Sequence, residues 1–159
     1  MQRLTTALVA LFLAATATTA SAAIDPIGDL LQTLQTARDA AASLPHQLMK
    51  ATLYHGGGSM RARDSMGCRV SAMRTLAVDP HVIPRGSVVF IAETVGLPMP
   101  NGGVHDGLWY ASDVGGAIKG ERIDLFTGPG AASMKPLLAL NTHALTVTPV
   151  KRFTGCPPV

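Results

Sequence analysis

LWYASDVGGAIKGERIDLF, residues 108–126, holds two short apolar runs, 108–113 and 122–126, joined by a glycine-rich link. Each run is too short for a helix and is rich in β-formers, so both read as strands. In a strand, alternate side chains face opposite sides. Ile123 and Leu125 then point into a core, while Arg122, Asp124 and Phe126 point the other way. By the same alternation Trp109, Ala111 and Asp113 share one face, so a ring and a carboxylate look onto one cleft. Gly115 and Gly116 permit a tight turn and a close approach of backbone to a ligand.

Outward from this block the chain keeps a β character. TLAV (75–78) ends at Asp79-Pro80, IPRGS makes a turn, and VVFIAE (88–93) reads as a buried strand. Residues 96–106 form a Pro/Gly-rich loop, ALTVTPV (144–150) is a further strand, and PLLALN (136–141) suits a short helical crossover. Five or six short strands in some ninety residues are too few for two full sheets and fit a small closed barrel. The composition agrees: 47% hydrophobic residues supply a core, while 16 Gly, 11 Pro and only 14% charged residues fit turn-rich β structure better than a charged helical bundle.

The N-terminal residues read as an address. Arg3 precedes the apolar run LTTALVALFLAATATTA, and Ala20-Ser21-Ala22 forms an A-x-A cleavage signal. Residues 1–22 are therefore expected to be a signal peptide, with the mature chain starting at Ala23 in a periplasmic or secreted bacterial location. No cysteine stands at that point to accept a lipid, so no stable membrane anchor is expected after cleavage. Residues 23–46 form an amphipathic helix and linker: Asp25-Pro26 begins the helix, Ile27, Leu30, Leu31, Leu34, Ala37, Ala41 and Leu44 recur at helical spacing, and Pro45 ends it. His55 to Ser59 opens a loop reaching residue 66, in which His55 and Asp64 can line a site. Residues 47–159 form the barrel domain.

Cys68 and Cys156 are the only cysteines. In an oxidising compartment they are expected to pair, closing a long loop worth on the order of 4 kcal/mol. The formal charge of +3 is scattered, and aromatic residues make up 4%, which excludes a nucleic-acid platform of basic and stacking residues.

TLAVDPHVIPRGSVVFI (75–91), followed by LWYASDVGGAIKGERIDLF, resembles the three-aspartate (3D) domain, which is similar to the catalytic barrel of the membrane-bound lytic transglycosylase A family. The resemblance covers roughly residues 52–150 and is strongest in the long gapless block from Ala111 to Phe126. It implies a six-stranded double-psi β-barrel that cuts peptidoglycan between N-acetylmuramic acid and N-acetylglucosamine without water. In such enzymes the muramyl C6 hydroxyl attacks its own anomeric carbon. The naming aspartates fall on Asp79, Asp113 and Asp124, with Asp124 the implied acid/base and the other two in support.

An intramolecular nucleophile removes the need for the second carboxyl group of an ordinary glycosidase. One carboxyl can protonate the leaving oxygen and then take the proton from the C6 hydroxyl. Asp124 must then hold a proton near neutral pH, through apolar surroundings or nearby anions. Asp113 and Asp79 can supply the anions and Phe126 an apolar wall, whereas Lys119 and Arg122 act in the opposite sense. Asp79, before a proline, reads first as a carboxylate that satisfies turn amides, while Asp113 is equally suited to orienting a ligand and to stabilising a turn. Lys119, Gly115, Gly116 and Trp109 are the expected substrate contacts, and peptidoglycan glycan strands the expected partner, with a cell-wall protein as a further one. No cofactor or metal is expected; a grouping of His105, Asp106 and Asp113 is the one weak metal-binding reading. The alternative to an enzyme is a non-catalytic module that binds cell-wall glycan.

Overall fold

The computed structural model describes residues 25–42, 45–58 and 62–158. The expected signal peptide lies outside them. The chain divides into two units, one ending at Ala42 and one beginning at Ser43.

The first unit contains helix α1, Pro26–Ala42. Asp25 caps it: its Oδ1 accepts the Ile27 N–H at 3.1 Å, and Pro26, which has no N–H to lose, takes the first helical position. Ile27, Leu30, Leu31 and Leu34 form an apolar stripe that stands exposed. No described helix is long and apolar enough to cross a membrane.

The second unit is a closed barrel of six strands: β1 (Gln47–Gly56), β2 (Thr75–Val78), β3 (Ser87–Ile91), β4 (Leu108–Asp113), β5 (Arg122–Pro129) and β6 (Ala144–Arg152). Around the ring the order is β1-β5-β2-β4-β3-β6, with β6 closing on β1. Pairs β1/β5 and β2/β4 are parallel and the rest antiparallel. The expected six-stranded, mainly β barrel is therefore present. Ala92–Thr94 and Ala131–Leu140 are 3₁₀ segments, the second covering residues 136–140 of the crossover expected at 136–141 and starting five residues earlier.

Period-two patterning builds the core. Each strand sends one pair of alternate residues inward: Met49 and Ala51, Leu76 and Val78, Val89 and Ile91, Trp109 and Ala111, Ile123 and Leu125, Leu145 and Val147. All are essentially buried, and each larger side chain contributes about 1.5–3 kcal/mol by leaving water. Residues between them face outward, and that outer surface carries the candidate site.

Two sequence expectations need correction here. Residues 47–56 are a strand, so His55 lies within β1, one residue before its end, and does not open a loop. The run 88–93 is a strand only to Ile91, because Ala92 turns into 3₁₀ geometry. Cys68 and Cys156 form the expected disulfide, with Cα atoms 5.4 Å apart.

Candidate functional site

Strand β5 presents Asp124 between two fully buried neighbours, Ile123 and Leu125, so its carboxyl is carried outward on a rigid element. Two flanking strands define its surroundings. On β1, Thr52 is its register partner, and the Thr52 hydroxyl donates to Asp124 Oδ1 at 2.8 Å. On β2, its partner is Ala77, which is also the partner of Asp113 on β4. The two aspartates therefore flank one methyl group, on strands two ladder spacings apart, or about 10 Å between Cα atoms. Ala77 between them is 3% exposed, so a larger side chain there would crowd both carboxyl groups.

A β-bulge puts Asp113 there. Leu76 pairs with Ala111 but Ala77 pairs with Asp113, so Ser112 is an extra residue. The bulge breaks the alternation: Trp109 and Ala111 face the core while Asp113 faces out. Trp109 is consequently not a sugar platform. Its ring is fully buried, stacks on His105 at 5.0 Å, and donates its indole N–H to Thr94 Oγ1 at 3.0 Å.

Asp113 is held from three directions. Tyr54 donates its hydroxyl to Oδ2 at 3.0 Å, while the backbone N–H groups of Ser65 and Val114 donate to Oδ1 at 3.0 and 2.9 Å. Tyr54 lies two residues beyond Thr52 on the same face of β1, and its ring leans on Phe126 with centroids 5.1 Å apart. Ser65 belongs to a tight turn organised by buried Asp64, whose Oδ1 accepts the N–H groups of Met66 and Cys68 at 3.0 and 2.9 Å. The disulfide fastens the same turn at Cys68.

The electrostatics of Asp124 follow from this placement. Partial burial raises its proton affinity above that of an ordinary aspartate, and the nearby charge of Asp113 adds to the rise. The Thr52 hydrogen bond and the Arg122 charge oppose it without cancelling it. The Tyr54 hydroxyl is pushed well above the usual phenol value, first by burial and then by Asp113, so it remains a proton donor.

Asp79 does different work. It is 6% exposed, and its two oxygens accept the N–H groups of His81 at 3.0 Å and Gly120 at 2.8 Å. Those bonds hold its proton affinity below the normal carboxylate value, with Lys119 acting in the same sense. Asp79 thus clamps the β4–β5 link to the end of β2, in the turn-satisfying role its position before Pro80 allows.

Within that link, Gly115 is required sterically. A Cβ there would come within 2.7 Å of Ile118, whereas one on Gly116 would meet nothing. Lys119 is exposed beside Asp79. His55 is exposed, while Asp64 sits behind the Asp113 turn. His105 and Asp106 do not join Asp113. His105 is buried, with Nε2 donating to Met73 O and Nδ1 accepting from Gly107 N–H, and Asp106 pairs with Arg74. Among the described residues no three His, Cys, Asp or Glu side chains gather as metal ligands. A cavity of about 450 Å³ opens around Arg74, Met99, Asn101, Asp106 and Tyr110, and none of the three aspartates lines it.

Sequence reasoning passed over Thr52, Tyr54 and Ser65. The signal for the first two is the alternation Lys50-Thr52-Tyr54 against Met49-Ala51-Leu53, which marks a strand with a polar outer face.

The 3D domain family model matches residues 74–136, a span that contains all three aspartates. None of the curated proteins compared matches the chain. Among solved structures, the lytic transglycosylase MltA from E. coli is 27% identical over 57% of this chain and 28% of its own, with a TM-score of 0.43. Lytic transglycosylase LtgG of Burkholderia pseudomallei is 24% identical over 79% of this chain and 37% of its own, with a TM-score of 0.39. A membrane-bound lytic murein transglycosylase from Agrobacterium tumefaciens is 27% identical over 55% and 25%, with a TM-score of 0.40. The chain thus spans between a quarter and two fifths of these proteins.

Proposed function

We propose that this protein is an exported, extracytoplasmic peptidoglycan lytic transglycosylase in which Asp124 is the single acid/base. The observation that carries the reading is the state of Asp124: outward-facing, half-buried, raised in proton affinity, and set across Ala77 from a second carboxyl group. Asp124 lies within residues 74–136, the span matched by the 3D domain family model, which supports the reading.

In the reaction, protonated Asp124 gives its proton to the bridging oxygen as the bond from that oxygen to the muramyl anomeric carbon breaks. The resulting carboxylate takes the proton of the C6 hydroxyl as that oxygen bonds to the same carbon, closing an anhydro ring and restoring the acid. Bonds and protons balance without water. Asp113 favours the protonated starting state through its charge. Asp79 holds the link bearing Gly115, Gly116 and Lys119, the segment proposed to meet the glycan. In this reading residues 1–22 are a cleaved leader, 23–46 a helix and linker, and 47–159 the catalytic domain.

Digestion of purified peptidoglycan in heavy-oxygen water tests the reading. Mass spectrometry should show anhydromuropeptides carrying no heavy oxygen. Reducing-end products labelled with solvent oxygen would overturn it in favour of hydrolysis. Glycan binding with no product would establish the non-catalytic alternative.

A further inference from the structure

We propose that Tyr54 is a positioning residue whose hydroxyl, bonded to Asp113 Oδ2, fixes the Asp113 carboxylate across Ala77 from Asp124, so that the proton of the two resides on Asp124. The proposal rests on the acid/base reading of Asp124 and adds to it the device that assigns the proton.

Two carboxyl groups that interact through their charges can take the first proton at either site, and only one order puts the acid where the bond breaks. Among the described residues, Asp124 has a single side-chain donor, the Thr52 hydroxyl. Asp113 has three donors spread over both oxygens: Tyr54 O–H, Ser65 N–H and Val114 N–H. Of these, only Tyr54 is a side chain that reaches Asp113 from the strand carrying Thr52. One strand face thus touches both carboxyl groups, through Thr52 at Asp124 and Tyr54 at Asp113.

The hydroxyl has the properties the task needs. Burial and the three carboxylates near it, Asp113, Asp124 and Asp64, keep it protonated, so it donates throughout the working pH range. Its ring is wedged against Phe126, which limits its swing. Among the described residues, Asp64 stands near Tyr54, Arg122 lies on the strand of Asp124 with Lys50 as its register partner on β1, and β2 presents Ala77 between the two aspartates with Asp79 just past its end. Burial is the main cause of the raised proton affinity of Asp124; Asp113 favours the proton more than Arg122 opposes it, so a fixed Asp113 charge adds to what burial supplies.

Tyr54→Phe keeps the ring and removes the bond. Carbon-detected NMR titration of the Asp124 carboxyl should show its midpoint move to lower pH than in the wild type. In activity assays kcat should fall about tenfold, the usual order for losing one hydrogen bond to a charged group, with KM nearly unchanged and the alkaline limb of the pH profile displaced to lower pH. In an Asp113→Asn background the same substitution should have almost no further effect, since the two act as one unit. An Asp124 midpoint unchanged by Tyr54→Phe, or losses that simply multiply in the double variant, would overturn the proposal. The NMR midpoint is measurable without turnover. Absence of anhydro product would therefore defeat the enzymatic reading, while an unmoved midpoint would defeat only the role of Tyr54.

Discussion

Opening the Cys68–Cys156 bridge should weaken the barrel and loosen its site together. The cysteines are 88 positions apart, and closing a loop of that length removes enough entropy from the unfolded chain to contribute about 4.5 kcal/mol. For a unit of about 115 residues, with an unfolding entropy near 0.25 kcal/mol/K, that loss lowers Tm by roughly 15–20 °C. Cys68 also ends the turn that aims the Ser65 N–H at Asp113, so local loosening should precede unfolding. Thermal unfolding followed by circular dichroism, with and without reductant, and for Cys68→Ala/Cys156→Ala, measures the first effect. Activity at 25 °C, well below either transition, measures the second. A Tm change below about 5 °C in both the reduced protein and the double variant would refute the loop-entropy reasoning.

Ala77 is buried between Asp113 and Asp124, so Ala77→Leu should crowd both carboxyl groups, abolishing glycan cleavage and lowering stability by about 1–3 kcal/mol; wild-type turnover with an unchanged Tm would show that neither holds. Buried His105 binds a proton less readily in the fold than its ordinary value of 6.5. The unfolded chain therefore takes up more protons, so this stability is complete above pH 6.5 and declines as pH falls below it. Urea unfolding between pH 7.5 and 5 should show that decline in the wild type and a shallower one in His105→Gln, with equal slopes contradicting it.

Much of the barrel could be read from period two, because Ile123-Leu125 and Leu76-Val78 announce buried alternate positions without help from distant contacts. Strand β1 was hidden for a local reason. It lies between Pro45 and the glycines at 56–58, and those breakers masked the alternation from Met49 to Tyr54. Missing β1 meant missing Thr52 and Tyr54, which reach Asp124 and Asp113 across the ring. Trp109 was misplaced because a bulge at Ser112 cannot be inferred from alternation; it appears only when β4 is laid against β2. The raised proton affinity of Asp124 was expected from its task and agrees with its burial, but Asp79, expected to help as an anion, is occupied with backbone N–H groups. The disulfide needed only the expectation that two cysteines in an oxidising compartment pair.

The central claim is that one carboxyl group moves the proton. Purified peptidoglycan incubated with wild-type protein and with Asp124→Asn, each checked for native circular dichroism and glycan binding, tests it most directly. Anhydromuropeptides from the wild type and none above background from the variant are the predicted result. An Asp124→Asn protein that releases the same products at the wild-type rate would contradict the account.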